Sequence, residues 1–332
     1  VKILIDELLP NGVIKSLDEI EGVGHRLVHG GEKYANSVII DDDVISTVTE
    51  LIPLAPLHNP ANLIGVETFK KLLPNVLNVA VFDTAFHQTM DKSAYIYPVP
   101  YEWYSEYGVR KYGFHGTSHK YINDKISEIL NRRDLKVISC HLGNGGSITA
   151  IDSGRVVDTT MGFTPNAGLV MGTRSGDIDA SFIPYVISKS KKSLDEVISD
   201  LNKKSGLLGI SGVSSDSRDI EAGVNEGDVR CVLAEEIYEN KIVSYIASYY
   251  CLLGGADVIC FAGGVGENGI TVRRNIINKL APLGVKLDAD ANNVRGVVTK
   301  ISSDESKVLC YLIPTDEELM IARDTYNLIC GK

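Results

Sequence analysis

The chain has 332 residues, a hydrophobic content of 44% and a formal net charge of −10. This length suits two domains, and the apolar content is enough to give each of them a buried core. The acidic balance, without any basic stripe, argues against nucleic acid and anionic membranes as partners.

Six cysteines are scattered through mostly apolar segments, and none of them forms a C-x-x-C pair. Reduced core cysteines are therefore favoured over a disulfide framework. The sequence has no apolar run as long as a membrane span and no signal peptide. We therefore predict a cytoplasmic protein.

The first part of the chain predicts a helix end, a strand and a second helix. Residues 1–12 have the pattern of a helix that a proline and a glycine terminate. Residues 21–32 alternate as a strand does. Residues 51–73 predict a proline-interrupted loop that leads into a helix with Asn59 or Asn62 as its N-cap.

A buried strand and a further helix follow. Residues 75–86 predict a strand that ends on the carboxylate of Asp83, where a charge is costly unless it is paired. Residues 116–130 predict a helix with Thr117 or Ser118 as its N-cap.

The middle of the chain predicts three short strands joined by glycine turns, followed by helices. The strands span residues 135–142, 146–152 and 154–160, and the helices span residues 180–190, 193–204 and 228–254.

The last part of the chain returns to strands and helices. Residues 256–269 predict a buried strand that runs into a glycine-rich loop, with a helix from about residue 271. Residues 306–329 predict a last strand and a last helix, whose start has capping-box spacing at Thr315 and Glu318. Together these elements predict an α/β protein with mixed sheets.

Three glycine-rich turns follow predicted strands, in residues 141–147, 171–177 and 263–269. Glycine lets backbone N–H groups approach an anion closely, and a helix that starts after the turn adds a favourable dipole. One such turn is weak evidence for a phosphate site, because turns between strands are often rich in glycine.

The third turn also matches a dinucleotide-binding pattern. Gly264, Gly266 and Gly269 follow a predicted strand, and Asp288 lies about 20 residues further on. An NAD-dependent dehydrogenase is therefore an alternative enzyme class. That pattern normally opens its domain, whereas here it lies near the end of the chain, which weighs against this alternative.

Ten segments between residues 21 and 325, taken together, resemble the acetate kinase family. The resemblance implies an α/β, two-domain fold of the acetate and sugar kinase, heat-shock chaperone and actin superfamily, which is ribonuclease-H-like. It assigns residues 1–85 and 319–332 to an incomplete first domain and residues 86–318 to a second, nucleotide-binding domain. The segments are VGHRLVHGGE, LAPLHNPAN, FDTAFHQTM, YGFHGTSH, HLGNGGS, MGFTP, GLVMGTRSGDID, SSDSRDI, GGVGENG and IPTDEELMIARDT.

The resemblance also implies an activity. It is the reversible, Mg²⁺-dependent transfer of the ATP γ-phosphoryl group to acetate, which gives acetyl phosphate and ADP by direct in-line transfer. A homodimer is implied, as is a metal site that also accepts Mn²⁺. A propionate or butyrate kinase of the same family remains an alternative, as does a nucleotide-binding switch of the actin or chaperone type.

Family members open with a strand and a glycine- and serine-rich phosphate loop, and nothing of that kind precedes residue 21. The resemblance therefore implies that roughly sixty residues are missing before this chain, about half of a domain of ~100–150 residues. On that basis we expect residues 1–332 alone to be weakly active or inactive.

Phosphoryl transfer needs in-line positioning and charge stabilisation, which suit the planar, permanently charged guanidinium group. Arg26 and Arg174 lie in glycine-rich settings, and the resemblance makes both catalytic, with Arg26 also binding the substrate. It adds Asp83 and His115 as catalytic residues and Glu317 as the Mg²⁺ ligand. The alternative for each arginine is a surface ion pair.

The histidines have structural alternatives. His119 lies four residues after His115 and suggests a zinc pair, but no further ligands are evident and a structural role is favoured. In the first strand, alternation puts His25 and His29 on the face opposite Arg26. His58 has an active-site position in the family, with loop packing as its alternative.

The resemblance assigns the remaining site residues to two groups. Val28, Leu57, Phe114 and Pro165 surround the substrate methyl group, and His58 also belongs to the substrate-binding residues. The residues assigned to ATP are His141, Leu142, Gly143, Asn144, Gly145, Asp216, Ser217, Arg218, Gly264, Val265, Gly266, Glu267 and Asn268.

Overall fold

The computed structural model describes residues 5, 7–56 and 58–331. The helix predicted in residues 1–12 lies partly outside them, and so does Leu57 of the predicted substrate pocket. The chain forms two compact units. Unit 1 comprises Val1–Thr89, Phe114–Tyr121 and Asp316–Lys332, and unit 2 comprises Met90–Gly113 and Ile122–Thr315.

Several strands and α-helices lie along the described residues. The strands are β1 (Gly22–Leu27), β2 (Val38–Ile39), β3 (Leu77–Phe82), β4 (Lys136–Leu142), β5 (Gly146–Asp152), β6 (Arg155–Thr159), β7 (Val258–Ala262), β8 (Thr299–Lys300) and β9 (Leu309–Leu312). The α-helices are α1 (Asp42–Glu50), α2 (Asn59–Leu72), α3 (Lys92–Tyr95), α4 (Tyr101–Ser105), α5 (Gly116–Leu130), α6 (Phe182–Ser190), α7 (Leu194–Lys203), α8 (Gly206–Ser211), α9 (Ser217–Glu226), α10 (Val229–Leu252), α11 (Gly263–Asn268), α12 (Ile270–Lys279), α13 (Ala289–Asn292) and α14 (Glu317–Ile329).

Unit 1 is built on a three-stranded sheet in the order β1-β3-β2. β1 and β3 are parallel, and β2 is antiparallel to β3. The core of this unit joins Leu27 and Phe82 of the sheet to Tyr34 and to Val66 of α2. The rings of Tyr34 and Phe82 stack with their centroids 4.8 Å apart.

Helix α14 packs directly on β1 because glycine leaves the strand without a side chain there. A Cβ atom at Gly24 would lie 2.5 Å from Ile321 and 2.5 Å from Thr325 of the helix. At the start of the same helix, Glu317 Oε2 lies 3.8 Å from Arg26 Nε of β1. The close packing therefore brings a carboxylate to the strand that carries the arginine.

Unit 2 contains a six-stranded sheet in the order β6-β5-β4-β7-β9-β8. β4, β7 and β9 are parallel, whereas β4, β5 and β6 form the predicted antiparallel meander. Every residue of β7 is buried, as expected for a central parallel strand. The long helix α10 covers the sheet, and its Ile242 and Ile246 share a core with Ile138 and Phe261.

The structure confirms the predicted strands and long helices but corrects one loop. The segment predicted as a glycine-rich loop forms helix α11 directly after β7. Gly263 at its start has a φ of +73°, and a Cβ atom there would lie 2.7 Å from the carbonyl oxygen of Leu142. Helices α1, α3, α4, α8, α9 and α13, each of ten residues or fewer, were not predicted. Within residues 5, 7–56 and 58–331, no helix is both long and apolar enough for a bilayer.

The predicted cap of helix α2 is wrong because both asparagines bond the segment that follows β1. The helix begins at Asn59, whose side chain accepts from the N–H of His29 and donates to its carbonyl oxygen, both at 3.3 Å. Asn62 Oδ1 accepts from the N–H of Val28 at 3.1 Å. These side chains hold the chain after β1 instead of ending the helix.

The predicted caps of α5 and α14 are also wrong. Helix α5 already begins at the preceding glycine, so neither Thr117 nor Ser118 caps it. Asp316 caps α14 by accepting from the N–H of Leu319 at 2.9 Å, and Thr315 donates its own N–H to Glu267 Oε1 at 3.1 Å.

Candidate active site

The first strand presents its basic side chain on one face, as predicted. His25 and Leu27 are buried, whereas the side chain of Arg26 is 48% exposed. His25 Nε2 donates to Asn78 Oδ1 at 2.7 Å, and burial lowers the pKa of this imidazole. Val28, just after the strand, is buried.

Arg26 and Asp83 form a two-point ion pair. Arg26 Nη2 lies 2.6 Å from Asp83 Oδ2, and Nε lies 3.0 Å from Oδ1. The residues meet because β1 and β3 are parallel and Asp83 directly follows β3, where its N–H donates to the carbonyl oxygen of Leu27 at 3.0 Å. The carboxylate is 2% exposed, and burial raises its pKa while Arg26 opposes the rise. The alternative of an ordinary surface ion pair does not fit this burial.

A second carboxylate, Glu317, lies beside this pair. Burial is the main cause that raises the pKa of Glu317, and the charge of Asp83 adds to it. His58, just before α2, acts on Asp83 in the opposite sense and lowers the pKa of that carboxyl. Two neighbouring carboxylates whose charged forms are disfavoured suit a divalent cation, and Mg²⁺ needs only one or two protein carboxylates.

We expect Glu317→Gln to raise thermal stability at about pH 7. The folded chain holds the proton of Glu317 more tightly than the unfolded chain, so this carboxyl's contribution is complete below its unfolded pKa of about 4.3. The contribution is lost as the pH rises through the raised folded value. The melting curves of E317Q and the wild type should therefore differ at about pH 7, and they should converge as the pH falls toward about 4. Glu318→Gln, at the exposed next position, is the control, and coincident curves at every pH would contradict the prediction.

The backbone turns sharply at His115. Its φ is +58°, which is uncommon for a residue other than glycine. The N–H of Gly116 donates to the carbonyl oxygen of Asp83 at 2.9 Å, so the chain passes close to the end of β3. Phe114 is buried, and its carbonyl oxygen accepts from His87 Nε2 at 2.9 Å. Unit 1 thus contains His115 and Phe114 close to the backbone of Asp83.

His119 packs in the interior of unit 1. Its side chain is fully buried, and its ring centroid lies 5.8 Å from that of His87. In the part of the chain that the structure describes, no three His, Cys, Asp or Glu side chains are grouped as a metal site. The described residues therefore supply no further ligands for a zinc ion bound by His115 and His119.

The three glycine-rich segments converge within unit 2. Two of them follow the parallel neighbours β4 and β7, whose carboxyl ends lie at the same edge of the sheet. A Cβ atom at Gly143 would lie 3.8 Å from the nitrogen of Gly264. The N–H of Gly172, in the remaining segment, donates to the carbonyl oxygen of Asn144 at 2.9 Å.

The first and the third of these segments line a cavity of about 620 Å³. Its volume is in the range of small-molecule and cofactor sites. The predicted ATP-binding residues that line it are Gly143, Asn144, Asp216, Ser217, Arg218, Gly264, Val265 and Asn268. The lining residues that the sequence analysis did not assign to ATP are Leu207, Ser215, Glu221, Gly269, Val272 and Arg295. Most of them belong to no glycine motif, so a single sequence offers little signal for them.

The other predicted ATP-binding residues are not among the lining residues. Glu267 has a structural task, because its Oε1 accepts from the N–H groups of Gly263 at 2.9 Å and Thr315 at 3.1 Å. This carboxylate therefore ties the start of α11 to the segment before α14. The residues outside the lining are His141, Leu142, Gly145, Gly266 and Glu267.

Arg273 of α12 holds helix α11 from inside the protein. Its side chain is fully buried, and burial is the main cause that lowers the pKa of its guanidinium to about 10. Its acceptors are backbone and amide oxygens. Nη1 donates to the carbonyl oxygens of Gly266 and Glu267, Nη2 to those of Asn292 and Val294, and Nε to Asn292 Oδ1, at 2.7–3.0 Å.

We expect Arg273→Met to lower the free energy of unfolding by at least ~3 kcal/mol, because several buried oxygens lose a charged donor. The KM for ATP should rise as well, since residues of α11 and Arg295 line the cavity. Urea denaturation and initial rates measure the two effects. Arg274→Met, at the exposed next position of the same helix, should change neither. An unchanged urea midpoint for R273M would show that these bonds contribute little.

Arg174 lies in the glycine-rich segment between β6 and α6, close to another predicted substrate residue. Its Nη1 donates to the carbonyl oxygen of Pro165 at 3.1 Å. Burial lowers the pKa of this guanidinium, and no carboxylate among the described residues raises it. A partly desolvated guanidinium without a carboxylate partner is suited to bind an anion.

Comparison with known proteins identifies the family. The sequence model of the Acetokinase family matches residues 1–323. The chain belongs to the acetokinase family. An acetate kinase of Shouchella clausii (strain KSM-K16) is 53% identical over 330 residues, which cover 99% of this chain and 84% of that protein.

Two solved structures of relatives are similar along nearly the whole chain. Porphyromonas gingivalis acetate kinase has a TM-score of 0.95 at 46% identity, and the match covers 99% of this chain and 84% of that one. A propionate kinase from Francisella tularensis subsp. tularensis SCHU S4 has a TM-score of 0.93 at 44% identity, covering 98% of this chain and 83% of that one.

Membership of the acetokinase family confirms the predicted fold class and enzyme class. The chain has the α/β, ribonuclease-H-like fold of the acetate and sugar kinase, heat-shock chaperone and actin superfamily, and its family is one of phosphotransferases. The dehydrogenase alternative loses its support. Its glycine pattern lies in helix α11 and at the residue after it, and not in a loop that opens a domain.

Proposed function

We propose that the chain catalyses the reversible transfer of the γ-phosphoryl group of ATP to acetate, which gives acetyl phosphate and ADP. The observation that carries the proposal is its 53% identity to an acetate kinase over 99% of the chain. The geometry supports it with a carboxylate-held guanidinium in unit 1, and with a second guanidinium and a nucleotide-sized cavity in unit 2.

In this reaction one P–O bond forms and one breaks. An oxygen of the acetate carboxylate attacks the γ-phosphorus, and the bridging oxygen of ADP leaves with the electron pair, so no proton has to move. The charge on the transferred group must be stabilised while the attacking and leaving oxygens are held in line. Arg26 and Arg174 supply that positive charge, and Asp83 orients Arg26 through the two-point ion pair.

His115 is proposed to donate a hydrogen bond to the transferred group. The strained backbone at this residue, with its positive φ, is of the kind that proteins retain at functional sites. Bound Mg²⁺ would neutralise charge on the phosphate oxygens. Glu317 is the proposed ligand, and its raised pKa and the nearby Asp83 support this assignment.

The nucleotide is proposed to bind in the cavity of unit 2. Backbone N–H groups around Gly143 and Gly264 would contact its phosphates. The segment from Asp216 to Arg218 would contact the adenosine. The domain boundaries remain a proposal, with residues 1–85 and 319–332 in the first domain and residues 86–318 in the second.

The acid substrate is proposed to place its methyl group against Val28, Leu57, Phe114 and Pro165, with His58 nearby. Similarity to a propionate kinase makes propionate the second candidate substrate. One extra methylene changes binding in such a pocket by only about 1–3 kcal/mol. Propionate should therefore be a poorer but measurable substrate, and the ratio of kcat/KM values decides between the two.

The test is a hydroxylamine-trap assay on the protein. Acetate and MgATP should give acetyl hydroxamate, and leaving out either one should abolish the signal. ATP hydrolysis that does not depend on acetate would instead indicate a nucleotide-binding switch. NAD titration by fluorescence is the parallel assay for the dehydrogenase alternative.

Two further properties are proposed from the family. The protein is a homodimer in the cytoplasm, and its metal site also accepts Mn²⁺. Size-exclusion chromatography with light scattering tests the homodimer. Substitution of MnCl₂ for MgCl₂ in the trap assay tests whether the metal site accepts Mn²⁺.

A further inference from the structure

The segment that carries Arg174 is closed into a ring by one carboxylate. The N–H of Gly168 donates to Asp177 Oδ1 at 2.7 Å, and the N–H of Asp177 donates to the carbonyl oxygen of Gly168 at 3.0 Å. These two bonds join the ends of residues 168–177, which we call the arginine ring. Arg174 therefore lies on a closed loop whose ends meet at Asp177.

The ring depends on glycine at both of its ends. Gly168 has a φ of +95°, and a Cβ atom there would lie 2.6 Å from the carbonyl oxygen of Thr160. Gly176 has a φ of +71°, and a Cβ atom there would lie 2.5 Å from the carbonyl oxygen of Leu169. The backbone is thus tightly packed where Asp177 closes it.

The second oxygen of the same carboxylate is anchored on helix α10. The hydroxyl group of Tyr245 donates to Asp177 Oδ2, and Lys241 Nζ lies 3.2 Å from that oxygen. The two anchors are one helical turn apart, so they share a face of the helix. The neighbouring Ile242 and Ile246 are fully buried in the core, which makes α10 a rigid support.

Within the ring, Arg174 is held mainly by the backbone. Its carbonyl oxygen accepts from the N–H of Met171 at 3.1 Å, and its Nη1 donates to Pro165. Arg26 is oriented by a carboxylate that bonds its guanidinium directly, whereas no carboxylate among the described residues affects the pKa of Arg174. The direction of the Arg174 side chain therefore depends on the shape of the ring.

We propose that Asp177 is a positioning residue for Arg174, because it closes the ring that carries the guanidinium and fastens that ring to α10. The inference rests on the proposed function, which assigns Arg174 to the reacting anions. Tyr245 and Lys241 act with Asp177 as the anchor. None of the three is proposed to touch the substrate.

The first test is Asp177→Ala, measured with the hydroxylamine trap. The kcat should fall ~10- to 100-fold, the size expected when a catalytic group is displaced by about 1 Å. The kcat of Asp177→Asn should fall less, because the amide oxygen of asparagine can still accept from the N–H of Gly168. Tyr245→Phe and Lys241→Met remove the anchor without opening the ring and should lower kcat in the same direction by smaller factors.

The decisive readout is a double-mutant cycle with Arg174. If Asp177 acts through Arg174, Asp177→Ala should lower kcat by its full factor in the wild-type background. In the Arg174→Ala background the same substitution should leave kcat almost unchanged. Arg174→Lys serves as the background if the alanine variant has no measurable rate. Equal factors in both backgrounds would overturn the proposal, because they would mean a general structural effect.

Glu239→Gln is the matched control. Glu239 also lies on α10 and pairs with a lysine, Lys279, at 2.8 Å, but it contacts α12 and not the ring. It should lower the melting temperature and leave kcat unchanged. Wild-type kcat in Asp177→Ala with an inactive Arg174→Ala would refute only the positioning role. Wild-type kcat in Arg174→Ala would instead refute the proposed role of Arg174 in the reaction.

Discussion

Arg174→Ala should lower the kcat of acetyl phosphate formation by at least about 100-fold, a loss of ~3 kcal/mol in transition-state stabilisation. The guanidinium is partly desolvated and has no carboxylate to neutralise it among the described residues. A preorganised charge of this kind stabilises the transferred phosphoryl group without reorganisation of solvent. The hydroxylamine trap at saturating acetate and MgATP measures the effect.

The control for this variant is Arg155→Ala, which removes an exposed arginine from strand β6 of the same unit. Both variants should keep the wild-type melting temperature, since the side chain of Arg174 donates to one backbone oxygen and, at 3.8 Å, to the thioether sulfur of Met171. A kcat within a few-fold of wild type for R174A would remove this arginine from the mechanism.

Arg26→Ala should damage both activity and stability. It removes the guanidinium proposed to bind the substrate, and it leaves the 2% exposed carboxylate of Asp83 without its partner. Loss of one partner of a buried pair costs about 3–5 kcal/mol, and the lower end applies because Arg26 is half exposed. Without Arg26, the raised folded pKa of Asp83 rises further, so the stability loss should grow as the pH increases.

A second substitution separates the two effects of Arg26→Ala. Asp83→Asn in the same chain replaces the unpaired charge with a neutral amide, and it should recover most of the lost free energy of unfolding. Activity should stay low, because the guanidinium is still absent. Arg323→Ala, which removes an exposed arginine from α14, is the control. If the double variant is no more stable than R26A, the ion pair is not the source of the loss.

The sequence by itself determined the α/β class, the strand ends and the family. Residues 75–86 predicted a buried strand that ends on Asp83, and the structure has β3 with Asp83 directly after it. Alternation in residues 21–32 separated His25 from Arg26, and their burial agrees with it. These features are local, because strand and helix periodicities are set by residues within a few positions of one another. The family followed from the order of ten segments.

The tertiary structure alone decided what the polar side chains bind. Asn59 and Asn62 looked like helix caps, yet they bond residues some thirty positions earlier. Glu267, predicted to bind ATP, instead bonds the N–H of Thr315, which is 48 positions away. A capping preference is worth only ~1 kcal/mol, so a buried backbone group without a partner competes successfully for the same side chain.

The same reason explains why Arg273, Arg295 and Asp177 carried no signal in the sequence. Arg273 donates to oxygens up to 21 positions away, and the anchor on Asp177 comes from a helix residue 68 positions later in the chain. Local sequence patterns determine where strands and helices form. Pairing of buried polar groups is settled only when the chain has folded, because each group takes whichever partner the packing brings within hydrogen-bond distance.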